Sequence, residues 1–278
     1  MNEITIIIIT YKSEKIISDF IKNIPSTIKT IIVENSQNYE LKKKIEQNYK
    51  NISVFIKENN GVSTALNFAV ENIKTKYFLQ ISPDLEFNFK DLDIFLSFAK
   101  KKKDKFAAIG PRFLDVKQKG HRQINPNLEF GEIDSIHGSC MFINKDTFLE
   151  IGKFDENFFL YFEETEYCFR AKKKGYPSYQ LNLSKVRNKG RSVQVENEQN
   201  KRFSNILIWH FIWSKYYFFK IKYGRFLSLV IFIPLLIRII LKISFYIILQ
   251  KKDLINKYTY RLSGLFKSMI GKKSDLRP

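Results

Sequence analysis

Along the first hundred residues, short unbroken apolar runs alternate with stretches in which apolar side chains recur every three or four positions. The unbroken runs are Ile4–Thr10, Lys29–Glu34, residues 52–57 and Tyr77–Ile81, and they are rich in Ile and Val. Residues 14–24, 39–49, 62–73 and 90–101 carry the helical spacing, the first of them behind Ser13 as a cap. Continuous Ile/Val runs joined by helices of this length predict a mainly parallel α/β sheet covered on both faces. Such a sheet binds its ligand beyond the carboxyl ends of its strands. The polar residues just past the four ends are Thr10 and Tyr11, Glu34 to Ser36, Asn59 to Gly61, and Ser82 to Asp84. One rim therefore receives a hydroxyl with an aromatic ring, a carboxylate, an amide beside a glycine, and a second carboxylate.

Further along, a short apolar strand from Gly138 to Ile143 is followed by a turn, Gly152 to Glu156, and an aromatic run, Phe158 to Phe162. Directly behind that run stand Glu163, Glu164 and Glu166, opening a helix that closes on Lys172 to Lys174 and Gly175. Acids in the first turn and lysines before a terminal glycine suit the helix dipole and C-cap, so an ordinary capped helix accounts for the charge placement. Carboxylates behind an aromatic wall have a second reading. An acid presented to a partly dry pocket can act as a general base.

Composition changes the picture for the C-terminal third. Of the 278 residues, 44% are hydrophobic, which excludes a disordered chain, and the net charge is +19. From Lys201 onward there are sixteen Lys and Arg against Asp253 and Asp275 alone. Such a balance fits either nucleic acid or an anionic membrane surface. The apolar run 226–249 separates the two, because the cations flank a lipid-like stretch and do not alternate with exposed aromatics as on a nucleic-acid sheet. That run is long enough to span a bilayer, yet Pro234, Arg238 and Lys242 lie in its middle. Each central charge costs roughly 2.5–3.5 kcal/mol to insert, so a helix or bent pair lying in the interface is expected. A helical hairpin packed on the catalytic domain, or on a second copy in a homodimer, is the soluble alternative. The organisation read from these shifts is a catalytic domain over residues 1–200 and a membrane-associating region over 201–278. Cys140 and Cys168 show neither disulfide nor metal-ligand spacing, and the first apolar run lacks a basic leader and a cleavage site. Both point to a reduced, cytoplasmic setting.

Past the first strand there is no glycine-rich phosphate loop, which argues against NAD enzymes and ATPases. A nucleotide can instead be held by base and ribose through Tyr11 and Glu34, with Asp84 reaching its diphosphate through Mg2+ or Mn2+. Each residue also has a plainer role: Asp84 as a turn residue after Pro83, Glu34 as a cap on its own turn, Glu164 as a helix-opening acid, and Asn60, Gly61 and Asn67 as loop and helix-start residues.

Taken in order, Thr10-Tyr11, Val33 to Ser36, Asn60-Gly61 with Asn67, Ser82-Pro83-Asp84, Gly152 to Glu156, and Phe159 to Glu166 with Arg170 and Gly175 resemble the family 2 inverting glycosyltransferases. The likeness covers residues 3 to 192 and is greatest to the rhamnosyltransferase-type members that build bacterial polysaccharides. It implies a GT-A fold, a dTDP- or UDP-sugar donor, a divalent cation, single displacement, and a lipid-linked saccharide acceptor at the cytoplasmic face of the inner membrane. Carried over by position, it implies nucleotide contacts from Thr10, Tyr11, Glu34, Asn60, Gly61 and Asn67, metal contact from Asp84, and Glu164 as base. Glu34 and Glu164 stand where the family usually has Asp, and Ser82 replaces the first acid of the metal motif. Arg187 opens a segment, running to Ser192, that in the family often begins with His; it can meet phosphate directly. A protein that keeps the fold and binds the donor without transferring it is the alternative on the same residues.

Overall fold

The structure, a computed structural model, describes residues 3–115, 123–190, 193 and 197–278. It divides into two compact units, Met1–Asp155 with Glu163–Gln194, and Glu156–Phe162 with Val195–Pro278.

In the first unit the alternating pattern becomes β1 (Ile4–Thr10), α1 (Glu14–Phe20), β2 (Lys29–Glu34), α2 (Tyr39–Asn48), β3 (Ile52–Ile56), α3 (Val62–Glu71) and β4 (Tyr77–Ile81). These four strands pair in parallel in the order β3-β2-β1-β4, and most of their buried positions are apolar. Beyond β4 come β5 (Leu85–Glu86), α4 (Leu92–Lys101), β6 (Ile109–Phe113), β7 (Phe130–Ile133), β8 (Cys140–Asn144), α5 (Lys145–Ile151), α6 (Glu163–Lys173) and β9 (Ser178–Asn188). Beyond these four parallel strands the sheet becomes mixed. β8 runs antiparallel to both β4 and β6, and β5 and β7 run antiparallel to β9.

Apolar side chains fill both faces of the sheet. One core packs Ile6, Ile8 and Leu79 with Ile17 and Phe20 of α1, Leu41 of α2 and Phe95 of α4. The other packs Ile7, Val33 and Phe78 with Leu66 of α3, Phe148 of α5 and Tyr167 of α6. Ser13 does not cap α1; its hydroxyl donates to the Tyr11 carbonyl at 2.9 Å and tightens the turn leaving β1. Gly175, at φ +84°, ends α6 in the left-handed conformation a C-terminal glycine supplies.

The second unit consists of α7 (Asn197–Tyr223), α8 (Arg225–Ile248), α9 (Lys252–Met269) and the aromatic segment Glu156–Phe162. α7 and α9 approach closely at Gly264, where a Cβ would lie 2.6 Å from the Trp209 carbonyl oxygen. Along α7, Ser214 Oγ donates to the Leu160 carbonyl at 2.8 Å, His210 stacks on Phe159 at 4.4 Å and Tyr217 meets Phe158 edge-on at 4.9 Å. The aromatic run is therefore bedded on α7. It ends in two consecutive left-handed residues, Tyr161 at φ 68° and Phe162 at φ 70°, directly before Glu163. For aromatic residues this costs of order 1–3 kcal/mol each, so packing must enforce it.

Candidate active site

The rim beyond the parallel strands is built by short polar turns tied to one another. Thr10 is fully buried at the end of β1, where its hydroxyl reaches the Val33 carbonyl of β2 at 3.4 Å. Tyr11 follows half-buried, and Lys12 N donates to Ser36 Oγ at 3.1 Å, which joins the two strand-end turns. Glu34 is only 1% exposed. One carboxylate oxygen accepts from Ser36 N at 2.9 Å and from the Ser36 hydroxyl, and the other from Asn38 N at 2.7 Å. In this geometry Glu34 caps its own turn, the plainer of its two readings.

Asn60 is exposed and Gly61, at φ 102°, precedes α3. Asn67 is 3% exposed, and both ends of its amide are bonded to Phe154: Nδ2 donates to the carbonyl at 2.9 Å and Oδ1 accepts from the N–H at 3.1 Å. Through these bonds it braces the Gly152-to-Asp155 turn, the loop and helix-start role that was its plainer reading. Arg170 holds the same turn, donating to the carbonyls of Ile151, Gly152 and Lys153 at 2.7–2.9 Å while pairing with buried Glu166 at 2.8 Å.

Asp84 and Glu164 lie 80 positions apart in sequence, and the backbone at Gly138 and Ser139 neighbours both segments. Ile81 of β4 pairs with Cys140 of β8, and Ser82 N donates to the Ser139 carbonyl at 2.8 Å. Asp84 then stands two residues further, in the turn closed by Leu85 N on Ser82 O at 3.3 Å. On the other side of Ser139 is Gly138, whose carbonyl accepts from the Gln80 amide. A Cβ built on Gly138 would lie 3.5 Å from Cδ and 3.6 Å from Oε2 of Glu164, ordinary van der Waals contact, so the Glu164 carboxyl packs directly beside this position. The corner also takes in His137, whose Nδ1 accepts from Ser139 N at 3.2 Å and which therefore braces the turn.

Arg187 arrives at the same edge through β9, in register with Glu86 of β5, while Lys189 N donates to the Asp84 carbonyl at 2.7 Å. Arg187 is exposed; Arg191 and Ser192 of its segment lie outside the described residues. A cavity of about 680 Å³ opens beside Asp84, lined also by Phe20, Phe87, Phe89, Lys185 and Lys189.

Burial raises the pKa of Glu164 to about 7, against hydrogen bonds from its own backbone and from Thr165 that lower it. Glu163 is 7% exposed, its Oε2 has no hydrogen-bond partner, and burial together with the neighbouring Glu164 pushes its pKa well up. Burial and adjacency thus hold both carboxyls of the pair above the ordinary glutamate range. Among the described residues no group of three His, Cys, Asp or Glu could hold a metal unaided. Asp84 alone fits a hard cation that keeps water and is shared with phosphate oxygens, as Mg2+ commonly is.

Residues 5–169 match the family described as glycosyl transferase family 2. The chain belongs to that family. Over 194 residues it is 26% identical to the low-salt glycan biosynthesis hexosyltransferase Agl10 of Haloferax volcanii, covering 62% of this chain and 62% of the relative's length. The solved mannosyltransferase PcManGT of Pyrobaculum calidifontis, in complex with GDP-Man and Mn2+, superposes with a TM-score of 0.60 at 12% identity, over 98% of this chain and 88% of that one. S. aureus TarS 1–349 with UDP-GlcNAc gives 0.56 at 12% identity, over 97% and 92%. These structural likenesses establish the fold, a GT-A-like mixed sheet with flanking helices.

Two features of this glycosyltransferase site escape the strand-end rule. Gln80 points from within β4 to the Gly138 carbonyl, and the β5–β9 pairing that sets Arg187 across from Glu86 joins segments a hundred residues apart. Only the glycine at 138, ahead of an apolar strand, hinted at the first.

Proposed function

We propose that the protein transfers a hexose from a nucleotide-diphosphate donor to a hydroxyl of a lipid-linked saccharide, inverting the anomeric centre. The observation that carries this reading is Glu164, poised near neutral pH against the Gly138–Ser139 corner from which the Asp84 turn departs. A sugar hydroxyl is a weak nucleophile at neutral pH. Glu164 accepts its proton as the oxygen attacks the anomeric carbon from the face opposite the departing diphosphate. Glu163 lies beside it, and burial together with Glu164 favours its neutral form.

Asp84 would hold Mg2+ or Mn2+, which when bound supplies charge neutralisation on the diphosphate. Arg187, across from Glu86, adds a guanidinium for phosphate oxygens. Thr10, Tyr11, Asn60 and Gly61 line the rim for base and ribose. The Haloferax relative is a hexosyltransferase of glycan biosynthesis, and two structural neighbours were solved with Mn2+ and a nucleotide, which supports a hexose donor and a divalent ion here. The dTDP- and UDP-linked hexoses, rhamnose included, are the proposed donors, with the enzyme at the cytoplasmic membrane face.

Thermal melts against dTDP-, UDP- and GDP-sugars, with and without Mn2+, test this reading. One donor should raise the melting temperature further with Mn2+ than without, and Asp84→Ala should remove the metal-dependent part. No shift with any nucleotide sugar would refute it.

A further inference from the structure

The outward face of α8 carries Phe226, Val230, Ile233, Ile237, Leu241 and Ile248, all exposed, with Phe226 at 81% and Ile248 at 78%. The opposite face buries Ser228, Phe232 and Ile239 against α7 and α9. At 1.5 Å per residue the apolar stripe is on the order of 33 Å long. α8 is long and apolar enough to cross a bilayer. Its inner face, however, is committed to α9, which would bring Lys257, Arg261 and Lys267 into hydrocarbon with it. A helix with one face packed on protein and one open face suits the membrane surface.

One edge of the stripe is cationic. Arg238 is exposed there, and Lys242, one turn on, donates from Nζ to the Tyr258 hydroxyl of α9 at 2.7 Å. Arg261 follows one turn after Tyr258, and its Nε is buried without a hydrogen-bond partner. Its charge helps to lower the pKa of Lys215 on α7, after burial, and that of Tyr258, where Lys242 is the larger cause. Lys242 of α8, Arg261 of α9 and Lys215 of α7 thus lie within electrostatic reach of one another around Tyr258.

Asp253 and Asp275, the only acids after residue 200, are already held by Lys201 and Lys267, each at 2.8 Å. Arg238, Lys242 and Arg261 form no ion pair among the described residues. Basic residues at both ends of α8, Lys222 and Arg225 at its start and Lys251 and Lys252 after it, continue the pattern. A surface of this kind lacks an anion, and the stripe beside it lacks an apolar solvent.

We propose that the Arg238–Lys242–Arg261 edge binds phosphate groups of anionic lipid headgroups and lays α8 along the membrane plane, its apolar stripe among the acyl chains. This deepens the lipid-linked acceptor reading and rests on it, since it places that acceptor's own bilayer against the helical unit.

The test is flotation of the full chain with vesicles of phosphatidylcholine alone or mixed with phosphatidylglycerol. The parent should float with the anionic vesicles and come off as salt is raised. Arg238→Gln with Arg261→Gln should bind them roughly thirtyfold more weakly, losing the anionic preference while melting normally. Ile237→Ser with Leu241→Ser should weaken binding to both vesicle types. Undiminished anionic preference in the double-Gln variant, or displacement from vesicles by inorganic phosphate at matched ionic strength, would overturn the proposal. Orientation is read from Lys222→Cys and Lys251→Cys with an impermeant maleimide. Labelling of both from outside supports the in-plane helix, and protection of one end shows a span and refutes it. Transfer to a soluble saccharide acceptor, measured in parallel, separates the two ideas: its loss in the parent chain counts against the enzymatic reading, and its survival with no vesicle binding counts only against this one.

Discussion

Glu163 and Glu164 adjoin in sequence but sit in different chemistry. Both bind protons in the fold at pH values where an unfolded glutamate, with a pKa of about 4.3, has released them. Linkage then makes their contribution to stability fall as pH rises from that value through about 7, because the folded state holds more protons over the window. Glu163→Gln, which keeps the shape and removes the ionisation, should raise the melting temperature above pH 7 and change it little at pH 5. A melt series across pH checks this, and an equal shift at both ends would mean that Glu163 is not a buried acid. Asn67 gives a contrasting case. With both amide ends on Phe154, Asn67→Ala should cost about 2 kcal/mol in denaturant unfolding by stranding a buried N–H and C=O, with donor affinity unchanged.

At the scale of elements, the parallel half of the sheet was legible from the chain because each Ile/Val run ends at a polar turn and each helix keeps its apolar spacing. Residues 4–10, 29–34 and 77–81 became β1, β2 and β4 with the boundaries the pattern gives. The antiparallel half was not. β5 is two residues long and β7 four, too short to carry a period, and their partner β9 is chosen by tertiary packing. The same limit hid the fate of Phe158 to Phe162. Their composition predicts a wall, but the register of α7 that beds them, through His210, Ser214 and Tyr217, comes from helix packing. That packing depends on Gly264 at the α7–α9 approach. Gly264→Val should cost roughly 1–3 kcal/mol by overpacking, read as a lower melting temperature, whereas Gly271→Ala, with open space around it but φ at +77°, should cost about 1 kcal/mol from the backbone alone.

For the molecule as a whole, site chemistry could be named from the sequence further than it could be located. The carboxylates Asp84 and Glu164 stood out by their position after a strand and at a helix start, and family 2 membership now gives the transferase class. Their surroundings could not be read in advance, because Glu164 packs on Gly138 and the Asp84 turn follows the Ser82–Ser139 hydrogen bond, and neither leaves a mark in residue type. Glu34 shows the converse. A carboxylate at a strand end is the right residue for a ribose, yet three donors of its own turn occupy it here.

The claim on which this account turns is that Glu164 removes the acceptor proton. The direct measurement is single-turnover transfer by the parent and by Glu164→Gln across pH, with donor affinity measured on the same samples. The parent rate should rise as pH passes about 7 and then level off, and the variant should lose transfer by at least about a hundredfold while binding donor as before. A variant that transfers at the parental rate, or a parent rate flat through neutrality, would contradict it.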